Sequence, residues 1–152
     1  VLRRDSFSYT VQARCPVAQA AALLADPARQ RALHPLIIRV RPLRPRPGAR
    51  ASYAITNRLA AGPLRLPLTY RADVLLDGPD EIVTVAWRWP ATTVRNRTRL
   101  RPEPDDVVRI DVEITLVAPA PVFGYAFREA RATHLALAAR LGAALDRDPP
   151  AR

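Results

Sequence analysis

Lysine and methionine are absent from this 152-residue chain, and cysteine occurs once. A lone Cys15 forms no intramolecular disulfide, and no Cys/His cluster has zinc-ligand spacing, so no structural metal is expected. The five glycines build no phosphate loop, and neither a Gly-x-Ser-x-Gly elbow nor a His-Glu-x-x-His pair occurs. Cofactor-dependent chemistry therefore has no motif to rest on, and no cofactor is expected. No apolar run approaches the roughly 20 residues that cross a bilayer. Val1-Leu2-Arg3-Arg4-Asp5 passes straight into an alternating pattern, so no secretory signal is read and the expected location is cytoplasmic.

What is present is apolar and basic. The chain is 49% hydrophobic, which with its many Val, Leu and Ile excludes a disordered chain despite 16 prolines. Its length fits one domain that buries about 70% of its unfolded surface. Every one of the 24 basic residues is arginine, against 14 acidic ones, for a net charge of +10. Such uniformity beside abundant Ala and Pro reads as codon bias in a GC-rich genome, although the field still attracts anions. The plain expectation is a solvated surface with weak contact to anionic partners. The sharper one is an interaction module that meets an anionic membrane, protein or nucleic acid through an arginine-rich face and the loop from Arg39 to Arg50. No aromatics interleave with those arginines, so nucleic acid is not expected as a partner.

Phe7, Tyr9, Val11 and Ala13 alternate with polar residues and predict a first strand. Pro16 opens a helix over Val17–Ala25, and Asp26 caps a second short one running to about Leu33. Strands follow at 36–40, 51–59, 64–74 and 82–89. Tyr53, Ile55, Asn57 and Leu59 share one face of the second of these, and Leu64, Leu66, Leu68, Tyr70, Ala72 and Val74 share one face of the third. A hairpin pairs 92–101 with 107–117. With its turn centred near Pro104, Arg97 falls opposite Asp111 and Arg95 opposite Glu113, on an outward, wet face. A helix predicted over Val122–Asp146 carries Phe123, Phe127, Ala130, His134, Leu137, Leu141 and Leu145 as one stripe. Residues 1–147 are thus one domain and 148–152 a frayed end.

The predicted architecture is α+β: a curved antiparallel sheet of about seven strands, two short helices, and a long carboxy-terminal helix laid across one face. The opening strand before Pro16-Val17-Ala18-Gln19-Ala20, the stretch Leu24-Ala25-Asp26-Pro27, the loop Leu33-His34-Pro35 and the closing helix centred on His134-Leu135 resemble the START-like superfamily. This superfamily, also called SRPBCC or polyketide cyclase/dehydrase and lipid transport, has the helix-grip fold. The resemblance covers nearly the whole chain and implies a cavity between sheet and helix. Its members include lipid and hormone carriers and polyketide aromatase/cyclases, and fold analogy does not choose among them.

The side chains expected around such a cavity are Tyr53, Asn57, Leu68, Tyr70, Trp87, Asn96, Thr98, Ile110, Phe123, Phe127 and His134. His134 interrupts an apolar stripe: either it is a general acid/base or ligand donor, or a core histidine bonded to a strand. Asn96 and Thr98 point inward and need partners, which a ligand, water or another side chain can supply. His34 is expected in a loop at the cavity mouth. Trp87 and Trp89 share one face and Arg88 takes the other. Burying two large aromatics is the expected outcome; the reverse would make Arg88 a buried cation ready for an acidic ligand. The leading expectation is a carrier of a small hydrophobic or amphipathic ligand, monomeric or homodimeric. The alternative is an aromatase-type cyclase or dehydrase with His134 and Tyr70 moving protons.

Overall fold

In a computed structural model, described at residues 1–31, 33, 36–61 and 63–147, seven antiparallel strands form one sheet. They are β1 (Leu2–Ala13), β2 (Ile37–Leu43), β3 (Ala51–Ala61), β4 (Leu64–Asp77), β5 (Glu81–Arg88), β6 (Thr92–Glu103) and β7 (Val107–Pro119). Their spatial order is β1-β7-β6-β5-β4-β3-β2. The helices are α1 (Val17–Ala25), α2 (Pro27–Gln30) and α3 (Ala120–Arg147). This is the α+β helix-grip arrangement. No described helix is long and apolar enough to cross a membrane. His34 and residues 148–152 lie outside the described residues.

Period-two patterning makes each strand two-faced, and one face forms the concave side. Along β7, Val108, Ile110, Val112, Ile114, Leu116 and Ala118 are all buried there. Register places Val11, Tyr9 and Phe7 of β1 beside Ile110, Val112 and Ile114. On the other flank of β7, Leu100, Thr98 and Asn96 of β6 lie beside the same three residues. The 28-residue α3 is about 42 Å long. It seats chiefly on β1 and β7, while α1 packs towards β4, β5 and β6.

Both ends of α3 are held firmly. Phe123 is buried with Leu116 and Ala118, and Leu141 and Leu145 are buried with Val11, Ala13, Val108 and Ile110. At the far end, the Arg14 backbone N–H donates to Asp146 Oδ1 at 2.7 Å. The middle of the same stripe, Phe127, Ala130, His134 and Leu137, is only half-buried. A helix clamped at its ends and looser between them spans the sheet more than it fills it.

The hairpin β6–β7 differs from its predicted register by two residues. Arg97 stands opposite Glu113 and Arg99 opposite Asp111, with Arg95 opposite Thr115. The cause lies in the turn, where Asp105 and Asp106 both adopt left-handed backbone (φ 66° and 59°) and move its centre to Asp105. Asp tolerates that conformation better than most residues. A shift of two preserves the faces, so the arginine row remains outward.

Gly124 lies on the exposed side of α3, where an added Cβ would meet only the end of Arg128, 3.9 Å away. Gly124→Ala is therefore expected to stabilise the fold by about 0.8–1 kcal/mol through helix propensity. A denaturation midpoint at or below that of wild type would contradict this.

Candidate ligand-binding site

The concave side carries two groups of polar side chains. One centres on His134, whose ring lies 6.0 Å from the Phe7 ring and 6.4 Å from the Tyr9 ring. Phe7 also meets Phe127 edge-on at 5.6 Å, and Phe127 stacks on Phe123. Burial pushes the Tyr9 hydroxyl up to about 12, so at neutral pH it is a protonated hydrogen-bonding group rather than a base. Facing this cluster from β6, Thr98 Oγ1 donates to Asn96 Oδ1 at 2.7 Å. The partner that these two inward residues require is thus, in part, each other.

The second group lies on β3, β4 and β5. The Arg88 guanidinium stands over the Tyr70 ring, 4.2 Å from its centroid, a cation–π contact between β5 and β4. Arg88 Nε is buried and has no hydrogen-bond acceptor. One strand further along, Asn57 is 3% exposed and its Oδ1 likewise has no donor. Asn57 pairs with Leu68, two residues before Tyr70, which pairs with Ile55. Asn57 is therefore a diagonal neighbour of Tyr70. Around these groups Tyr53, Ala72, Thr84 and Ala86 remain half-buried, and Leu68 is exposed at the outer end of β4.

The tryptophans reverse the expectation. Trp87 and Trp89 are 45% and 89% exposed, and Trp87 lies on the convex face, where its Nε1–H donates to Asp73 Oδ2 at 3.1 Å. Trp87 is therefore outside the concave side, and Arg88 takes the inward position. The reason is on β4: Asp73 offers an indole acceptor on the convex face, and the connection between β2 and β3 folds over both. Arg46 lies over the Trp87 ring at 5.6 Å, and its backbone N–H reaches Ser52 Oγ. Arg71 Nη2 holds the Arg44 carbonyl.

Of the other expected site residues, Ile110 and Phe123 are buried core, and Phe127 lines the His134 cluster. Tyr53, Asn57, Leu68 and Tyr70 occupy the concave side of β3 and β4. Tyr70 and Asn96 do not meet: Tyr70 is level with Arg88, whereas Asn96 pairs with Thr84. Four residues of β5 separate those levels, about 13 Å. Sequence reasoning overlooked Tyr9 as a site residue, although its place between Phe7 and Val11 already put it on the inward face. Cys15 is buried. Burial raises its thiol above the ordinary range and Asp146 adds to the shift, so it is a poor nucleophile. Among the described residues no cluster of His, Cys, Asp or Glu is arranged to hold a metal.

No family model matches the chain, and no curated protein matches it. Solved structures do. The di-domain ARO/CYC BexL from the BE-7585A biosynthetic pathway superposes with TM-score 0.76 at 16% identity, over 97% of this chain and 51% of that one. The chain thus spans about half of that di-domain protein. A START superfamily protein from Mycobacterium smegmatis matches with TM-score 0.72 at 16% identity, covering 93% of this chain and 97% of that one. The Zhui aromatase/cyclase from Streptomyces sp. R1128 matches with TM-score 0.72 at 14% identity, over 95% of each chain. These likenesses show that the chain shares the helix-grip fold of those structures.

Proposed function

We propose that the protein binds a small amphipathic molecule between the concave face of β3–β6 and α3. The observation that carries this reading is the uneven seating of α3, which packs on β1 and β7 and is clamped at its two ends. On β3, β4 and β5, away from those contacts, Tyr53, Ala72, Thr84 and Ala86 stay half-buried beside Tyr70 and Arg88. Ligand sites commonly have this make-up, mostly apolar walls with a few directed polar groups. The likeness to START and aromatase/cyclase structures is consistent with it.

The test uses N-phenyl-1-naphthylamine, a neutral fluorophore that brightens on leaving water. Saturable binding at about one molecule per chain is expected. Ala86, half-buried on the concave face opposite Val94 and Ala72, is the place to block it. Ala86→Trp should weaken the dye by at least about tenfold while costing little stability, because the ring enters open space. In a solidly packed interior the same ring would cost about 1–3 kcal/mol or more. Absence of saturable binding, or a strongly destabilised Ala86→Trp, would end this reading.

A second reading, a cyclase-type reaction on the bound molecule, is favoured by the aromatase/cyclase likeness. Its proton-transfer pair, His134 and Tyr70, belongs to different polar groups, one beside β1 and one beside β5. A single reacting atom shared by both is hard to arrange, so binding without that pair is the better-supported function. Turnover of a poly-β-ketone substrate that is lost in both His134→Ala and Tyr70→Phe would reverse this preference.

A further inference from the structure

We infer that the bound molecule is an organic acid whose anionic group is received by Arg88. The inference rests on the ligand-binding reading above and names the chemical class of the ligand. Arg88 is a charged feature of the concave face that an apolar ligand leaves unexplained. Its charge is held inward over Tyr70, and its buried Nε–H points at no acceptor. Among the described residues no carboxylate pairs with it, although Arg71, Arg97 and Arg109 on the convex face each have an acidic partner. A buried donor left without an acceptor is costly, and an incoming anion that accepts from the Arg88 Nε–H removes that cost. Arg also offers the planar donor set that carboxylates and sulfonates accept.

Asn57 refines the class. Its buried Oδ1 lacks a donor, so a hydroxyl or N–H on the ligand, close to the acid group, would satisfy it. Tyr70 lies between the two, its ring already engaged by Arg88. The apolar body of the ligand would then extend along β5 towards Thr84 and the His134 cluster, about 13 Å away. The inferred ligand is an acid with a nearby hydrogen-bond donor and an apolar body that lies under the middle of α3.

Two dyes isolate the acid group. 8-Anilinonaphthalene-1-sulfonate and N-phenyl-1-naphthylamine share their rings and N–H and differ by the sulfonate. In about 0.15 M salt the wild-type protein should bind the sulfonate about tenfold more tightly, the scale of one charge-assisted contact. Arg88→Gln should bring the two dyes within about twofold of each other, and a native far-ultraviolet circular dichroism spectrum with cooperative unfolding reports an intact fold. Arg95→Gln, at an exposed position, removes the same charge elsewhere and should keep the tenfold preference. Should Arg88→Gln fail to fold, Arg88→Lys carries the test: without the Nε–H the preference should fall to about threefold. If the neutral dye binds and the sulfonate binds no better, or if Arg88→Gln behaves like Arg95→Gln, the acid assignment is overturned while the pocket stands. If neither dye binds, the ligand-binding reading itself fails.

Discussion

Replacing Ile114 by alanine is expected to lower the unfolding free energy by about 4 kcal/mol, a large share of the 5–15 kcal/mol typical of a domain. Ile114 is fully buried at the centre of β7. Phe7 of β1 flanks it on one side and Asn96 of β6 on the other. Those neighbours are fixed by sheet hydrogen bonds and α3 is held at both ends, which limits how far the surroundings can collapse into the lost volume. Removing the side chain therefore loses both its transfer energy and its contacts. Ile114→Val should cost only about 1 kcal/mol. Chemical denaturation with an unchanged slope measures both, and an Ile114→Ala loss below about 2 kcal/mol would show that the core above β7 can collapse.

The second large effect lies on the opposite face. Asp73 is 3% exposed and accepts hydrogen bonds from Ser52 Oγ at 2.6 Å, Arg71 Nε at 3.1 Å and Trp87 Nε1 at 3.1 Å. Arg46 Nε stands 3.9 Å from Oδ2, the oxygen that accepts from Trp87. Asp73→Ala leaves three donors without an acceptor and frees the β2–β3 connection, and it should cost about 3 kcal/mol. For a chain of this size that is about 6–12 °C in melting temperature.

The acid dependence of this site has a definite sign. Burial alone pushes the Asp73 carboxyl up, but the bonds from Ser52, Arg71 and Trp87 and the Arg71 charge hold it below the usual carboxylate range. A depressed folded value means that the site stabilises fully above the unfolded carboxyl's pKa near 4 and loses that contribution as pH falls through the folded value. The gap between wild type and Asp73→Asn should accordingly narrow as pH drops from about 5 towards 2. Asp111, depressed chiefly by its bond from Thr10, keeps some acid sensitivity in either protein. A gap independent of pH would refute the assignment.

Much of this architecture was legible because alternation and helical stripes are written directly into the residues. Val108 to Leu116 and Phe123 to Leu145 each announce one face, and those faces pack, whereas the row from Leu64 to Val74 is buried only at Val74 and leaves Leu64, Leu66 and Leu68 exposed. What alternation omits is which face is inside. For Trp87, Arg88 and Trp89 that choice is made by Asp73, 14 residues away on the neighbouring strand. Asp73 alternates with the apolar row of β4, and nothing in that alternation shows that it is covered, because the connection that covers it comes from a proline-rich stretch with no periodic signal. The β6–β7 register escaped for a local reason, since two successive left-handed residues at Asp105 and Asp106 leave no mark beyond their side chains' tolerance for it. At the site, Asn57 and Tyr70 were found by strand face, while the unmatched Arg88 required knowing the pairing across three strands.

The pairing of β1 with β7 has a consequence for how the chain assembles. Neighbours from β2 through β7 are joined by successive hairpins, whereas Phe7 meets Ile114 and Val1 accepts from the backbone of Ala120 across more than a hundred positions. Closing so large a loop is entropically slow. The meander should therefore form early, with the opening segment and α3 locking together last. Ligand that bridges sheet and helix would slow the reverse step, lengthening the lifetime of the folded state more than it hastens its formation.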